Sequence, residues 1–197
     1  MGTLTESTTQ SASPVADIAK LFTVEEWAAM THDAKPHPEL VNGKLLKTMT
    51  TTGEHNWAVK KFLRQCDEWA DNSDWKFFSE GPGIRISADT SYIPDIMAFA
   101  AGTTISGKSA YYEATPFLIV EVVSPESTRR DRNEKNLNYA AIGVQIYVII
   151  DTDNRTVEVF RLEGAGYGTP EILNRNDVWR PAELPGLQVE LSKLWFE

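Results

Sequence analysis

The stretch "FLIVEVV" (117–123), followed at once by "SPESTRRDRNEK" (124–135), decides the fold. An apolar run broken by one carboxylate reads as a strand buried on both faces. Glu121 in its middle loses hydration, and a charge taken out of water is retained only where a partner compensates it. Beyond the strand, residues 131–142 read as a helix, with Thr128 and Asp131 in a capping arrangement and Gly143 as the stop. "VQIYVIID" (144–151) is again an apolar strand. Strand 117–123, helix 131–142 and strand 145–151 make a βαβ unit, hence a parallel pair with a right-handed crossover.

Around that unit the pattern is mixed. Thr23 and Glu26 form a capping box before the short helix "VEEWAAM". "ELVNGKLLKTM" (39–49) is a hairpin turning at Asn42-Gly43. Residues 54–71 form the clearest helix, with Trp57, Phe62, Cys66 and Trp69 on one apolar stripe. "DWKFFSE" and "GIRIS", joined through Gly81-Pro82-Gly83, and then "SYIPDIMAFA" read as strands. Asp151 to Asn154 turn the second strand of the βαβ unit into "RTVEVFRL", and weaker strands and a short turn, "LSKLWF", close the chain. The expected class is α/β: a mixed β-sheet flanked by α-helices, with residues 1–20 a Ser/Thr-rich flexible tail and 21–197 one domain.

Composition bounds the function. The chain has 197 residues and a net charge of −9, which argues against a broad basic surface for nucleic acid. A single cysteine, Cys66, excludes a disulfide framework and a cysteine-based zinc site. No apolar run is long enough for a membrane span, and the N-terminus lacks the layout of a signal peptide, so a cytoplasmic protein is expected.

Two acids stand out. Asp95, in "IPDIM", joins Glu121 as a carboxylate inside an apolar strand. Neighbouring carboxylates repel, and a shared proton or a divalent cation resolves the conflict; oxygen-only ligands favour Mg²⁺ or Mn²⁺. Lys135 falls one turn after Asp131 and one turn before Tyr139, on a helix that starts beyond the C-terminal end of strand 117–123, where α/β folds bind ligands. From there it can reach a water held between the two acids. Glu39 at a strand start and His55 in the first turn of the long helix are weaker candidates.

Taken in order, E-L-V-N-G (39–43), His55, P-D (94–95), E-V-V-S-P (121–125), D-x-x-x-K (131–135), N-Y (138–139) and I-I-D (149–151) resemble the Uma-type restriction endonuclease-like family, a branch of the PD-(D/E)xK nuclease superfamily. The likeness runs from about Phe22 to Leu162. It implies a restriction endonuclease-like core in which Asp95 and Glu121 bind the metal with the backbone carbonyl of Val122. Val123 occupies the usual lysine position of E-x-K, and the resemblance gives that role to Lys135. It implies further that Glu39 binds a second metal or a water, that His55 lies near the site, and that Tyr139 lines the cleft. "GVQIYVIID" departs from the family's usual Gly-Val-Pro-Glu-Tyr-Trp pattern, in the strand after the helix.

The expected activity is metal-assisted hydrolysis of DNA phosphodiester bonds. Arg129, Arg130 and Arg132 would contact the DNA backbone, and a homodimer would cut both strands. Two alternatives stay open: a non-catalytic nucleic-acid-binding or regulatory protein on the same fold, and a metal-free hydrolase built on two carboxylates.

Overall fold

The computed structural model describes residues 20–31, 37–46, 51–71, 73–79, 81–106, 110–123 and 131–197. Helix α1 spans Val24–Thr31 and is capped reciprocally: the Glu26 amide donates to Thr23 Oγ1 at 3.2 Å and the Thr23 amide to Glu26 Oε2 at 3.0 Å. Strands β1 (Glu39–Val41) and β2 (Lys44–Leu46) form the expected hairpin. Asn42 and Gly43 both take positive φ, 48° and 75°, which a two-residue turn of matching twist requires. Helix α2 runs Gly53–Ala70 and buries Ala58, Val59, Phe62 and Cys66. Its N-cap is Thr52, whose hydroxyl accepts the His55 amide.

Strands β3 (Lys76–Ser79), β4 (Gly83–Arg85), β5 (Ser91–Tyr92), β6 (Ile96–Phe99), β7 (Tyr111–Tyr112) and β8 (Leu118–Val123) follow. A π-helical turn, Asp131–Lys135, runs into helix α3, Asn136–Ala141, which stops at Gly143 with φ 87°. Strands β9 (Ile146–Asp151), β10 (Thr156–Glu163), β11 (Gly166–Tyr167), β12 (Glu171–Asn174), β13 (Val178–Trp179) and β14 (Val189–Glu190) and a 3₁₀ turn, Leu191–Lys193, complete the chain.

The large sheet has the order β11-β10-β9-β8-β6-β3, with β12 also on β10. Within it β8 and β9 are parallel, from Leu118↔Ile146 to Val123↔Asp151, so the βαβ unit is present. A second sheet, β2-β1-β5-β4-β7, stands apart. "KFFS" and "GIR", joined through Gly81-Pro82-Gly83 as expected, lie in different sheets. One expectation changes here: "SYIPDIMAFA" is two strands, broken at Ile93-Pro94-Asp95, where Pro94 lacks the amide a continuous ladder needs.

Alternation along β8 divides the core. Leu118, Val120 and Val122 pack with α2 and the C-terminal Trp179, Leu187 and Leu194. Ile119 and Val123 face the other way, with Tyr139 of α3, Tyr147, Ile84 and Tyr92. Glu121 shares the parity of Ile119 and Val123, so its carboxylate enters the layer between the large sheet, α3 and the small sheet.

Candidate active site

Three elements deliver charge into that layer. Glu121 comes from the middle of β8, Glu39 from the first residue of β1, and Lys135 from the last residue of the π-helical turn. Their relative exposures are 4%, 3% and 3%. Lys135 Nζ donates to Glu121 Oε1 at 2.8 Å and lies 3.3 Å from Glu39 Oε1. Glu39 Oε1 also accepts the Ile93 amide at 3.3 Å. Tyr139, four residues after Lys135, donates its hydroxyl to the same Glu121 oxygen at 2.6 Å. This answers the problem of a carboxylate in a buried strand: the ammonium and the phenol replace the hydration Glu121 gave up.

Burial and the Glu121 charge push the Tyr139 phenol well above its ordinary pKa, so it remains a donor at neutral pH. Tyr92 lines the pocket with its ring edge-on to Tyr139 and with Lys135 Nζ 5.6 Å from its centroid. Its hydroxyl accepts from Asn138 Nδ2 at 2.6 Å and donates to Glu134 Oε1 at 3.1 Å, linking the small sheet to the helix that carries Lys135.

Asp95 occupies a different setting. The β6–β8 ladder ends at Ile96↔Val120, which places Asp95 one rung on, level with Glu121. Its Oδ2 accepts the Val122 amide at 2.7 Å, so a side chain takes over where β6 leaves the sheet. His55 Nε2 lies 3.1 Å from the same oxygen. The Thr52 cap sets the first turn of α2 and with it His55. Side-chain exposures are 15% for His55 and 22% for Asp95. Among the described residues, nothing hydrogen-bonds Asp95 Oδ1.

The donor chemistry fits a hard cation. Asp95 and Glu121 offer oxygen only, Glu121 from β8 and Asp95 from the residue before β6, beside the Val122 backbone. Among the described residues no group of three or more His, Cys, Asp or Glu is arranged as a metal cluster. An ion here would therefore take two carboxylates and complete its shell with solvent and substrate, which is the habit of Mg²⁺.

The structure thus brings Glu39, Glu121, Lys135 and Tyr139 into one cluster and sets Asp95, Val122 and His55 beside it. Arg132 lies elsewhere: its Nε donates to Glu158 Oε1 at 3.0 Å and its Nη2 to Asp151 Oδ2 at 3.1 Å, tying the π-helical turn to the β9–β10 hairpin. Asp151 is also the hairpin residue expected from the sequence, accepting the Asn154 amide at 2.9 Å. Arg129, Arg130 and Thr128 lie outside the described residues. Sequence reasoning missed Thr52 and Tyr92, and gave no role to Asn138 of the N-Y pair. A threonine three residues before His55 was the available signal for the cap; no local signal marks Tyr92.

Residues 24–192 match the family model Uma2, described as "Putative restriction endonuclease". The uncharacterized protein sll1609 of Synechocystis sp. is 24% identical over 152 residues, spanning 76% of this chain and 86% of that protein. A crystal structure of "a putative nuclease belonging to DUF820" from Anabaena variabilis aligns with a TM-score of 0.72 at 18% identity, covering 88% of this chain and 97% of that one. A likeness at that level of identity speaks to the fold. No helix among the described residues is long and apolar enough to cross a membrane.

Proposed function

The chain belongs to the Uma2 family and has a restriction endonuclease-like α/β fold, and from that premise we propose that it is a metal-dependent endonuclease hydrolysing phosphodiester bonds of DNA. The observation that carries this reading is the 2.8 Å contact of Lys135 with Glu121, level with Asp95 where the β6–β8 ladder ends. An ammonium, one carboxylate from β8, a second just before β6 and an adjacent backbone carbonyl are the parts such a reaction needs.

Asp95 and Glu121, with the Val122 carbonyl, would hold Mg²⁺ or Mn²⁺. The bound ion supplies Lewis acidity toward the phosphate and a water acidified to near-neutral pKa. Lys135, fixed from two sides by Glu39 and Glu121, orients the attacking water and stabilises negative charge gathering on the phosphate. Tyr139 holds Glu121 in one rotamer. His55 steadies Asp95 on its Oδ2 edge and leaves Oδ1 toward the ligand. A homodimer, each subunit cutting one strand, belongs to the same proposal.

A second reading draws on one observation: Lys135, Glu121 and Glu39 are nearly closed to solvent. An ion triad so enclosed also suits a nucleic-acid-binding or regulatory protein that keeps the fold without turnover. Nicking of supercoiled plasmid separates the two. The nuclease converts it to open circles with Mg²⁺ or Mn²⁺, stops with EDTA, and fails as Asp95→Asn. The binding protein retains plasmid in a gel-shift assay, leaves it intact, and does so equally as Asp95→Asn.

A further inference from the structure

A cleft of about 410 Å³ lies between α2 and β3, the edge strand of the large sheet. Two of its lining residues are chain or ladder neighbours of the candidate site. Asn56 directly follows His55, and Ser79 pairs with Ile96, the residue after Asp95. From Asn56 the cleft follows one face of α2 through Lys60 and Arg64, each a turn further along, to Asp67. Val59 and Leu63 also line it and give it apolar patches.

Four arginines elsewhere on this acidic chain are committed to acids, whereas the cations lining the cleft are not held in that way. Arg85, Arg132, Arg161 and Arg175 are each bound to two acids or one on other elements. Lys60 is exposed and has no ion pair among the described residues. Arg64 pairs only with Glu68, both about two-thirds exposed, and an exposed pair of that kind holds its cation weakly. Two exchangeable cations spaced by one helical turn, leading toward Asp95 over apolar side chains, suit a chain of phosphodiesters whose sugars can rest on Val59 and Leu63. Asp67 sets the far limit. Its carboxyl is held above its ordinary pKa by burial and by the Asp71 charge, and it would repel a phosphate.

We propose that the cleft formed by Asn56, Lys60, Arg64 and Ser79 is the track along which a polynucleotide backbone reaches Asp95, with Lys60 and Arg64 each neutralising one phosphate. The inference rests on the nuclease reading of the neighbouring site. It also places the local cationic surface that a net charge of −9 makes necessary.

The test uses the full chain and its Lys60→Ala/Arg64→Ala double variant, with circular dichroism to verify that both are folded. Fluorescence anisotropy in EDTA measures binding of labelled duplex DNA and duplex RNA of one sequence over a salt series. Plasmid nicking with Mg²⁺ gives kcat and KM. The expected result is about tenfold weaker binding by the double variant to whichever duplex the wild type binds, a salt slope smaller by about 2, a raised KM and a kcat within about twofold of wild type. Asp67→Asn should bind more tightly than wild type. Unchanged affinity and slope in a double variant of a protein that nicks plasmid would overturn the track and leave the nuclease reading standing. A wild type that neither binds nor nicks overturns both.

Discussion

The two halves of the site differ in how their charges are satisfied. Glu39, Lys135 and Glu121 are sealed at 3–4% exposure and answer one another. Asp95, level with Glu121 beyond the end of the β6–β8 ladder, and His55 are open at 22% and 15%, and Asp95 keeps one oxygen without a protein donor among the described residues. A sealed ion triad fixes geometry, because none of its members can leave without stranding the others. An open carboxylate against a strand end can change partners. The difference assigns stability to the Lys135 contacts of the first half and ligand exchange to Asp95 in the second, with Glu121 as the residue that serves both.

The strongest way to break that division is Lys135→Met. It leaves two carboxylates facing each other out of water, and unfolding in urea should show a loss of about 3–5 kcal/mol. A loss below about 0.5 kcal/mol would mean that Lys135 is solvated and the triad does not hold the layer together. Asp95→Asn should invert the pattern. Nicking should fall at least about a hundredfold, comparable to losing a transition-state contact, while stability changes by less than about 1 kcal/mol, since an amide oxygen can still accept the Val122 amide. Equal effects on stability at the two positions would erase the contrast.

Tyr139→Phe probes the sealed half more gently. Glu121 keeps Lys135 and loses the phenol, a charged hydrogen bond worth about 2 kcal/mol. Because Tyr139 stays protonated through neutral pH, the shape of the pH–rate profile between pH 6 and pH 9 should not change in the variant. The smallest effect is expected at Arg132→Met, about 1 kcal/mol for a guanidinium 30% exposed. This variant carries a pH signature. Burial raises the Asp151 carboxyl, but the Asn154 backbone and side-chain hydrogen bonds and Arg132 outweigh it and hold the group below its ordinary 3.8. A depressed acid contributes stability that is present above its unfolded value and is lost as pH falls through its folded one. Below about pH 4 the wild type should therefore lose stability more steeply than Arg132→Met, in which part of that depression is already gone.

The sequence made some of this plain. The apolar run around Glu121 forecast both a buried strand and a need for compensation, and Asn42-Gly43 forecast a hairpin, because each signal is local. The break of "SYIPDIMAFA" was missed because apolar residues stand on both sides of Pro94-Asp95; what separates β5 from β6 is membership in two sheets, a tertiary fact. The π-helical turn was invisible for the same reason. Its register places Lys135 against Glu39, and no spacing rule connects a residue at the start of β1 with one on a helix so far along the chain. Glu39 was therefore only a weak candidate on its own residues, strengthened by the family resemblance, and Arg132 looked like a cation available to a phosphate when Glu158 and Asp151 already hold it.

The central claim is that Asp95, in the open half, takes a divalent ion together with Glu121, while the contacts of Lys135 and Tyr139 with Glu121 stay in place. Titration of Mn²⁺ into the full-length protein, followed by loss of the free-ion electron paramagnetic resonance signal, addresses it most directly. The account predicts a bound ion in the wild type, retention in His55→Ala, and loss in Asp95→Asn with thermal stability preserved. Equal Mn²⁺ binding by the wild type and Asp95→Asn, or none by either, would contradict it.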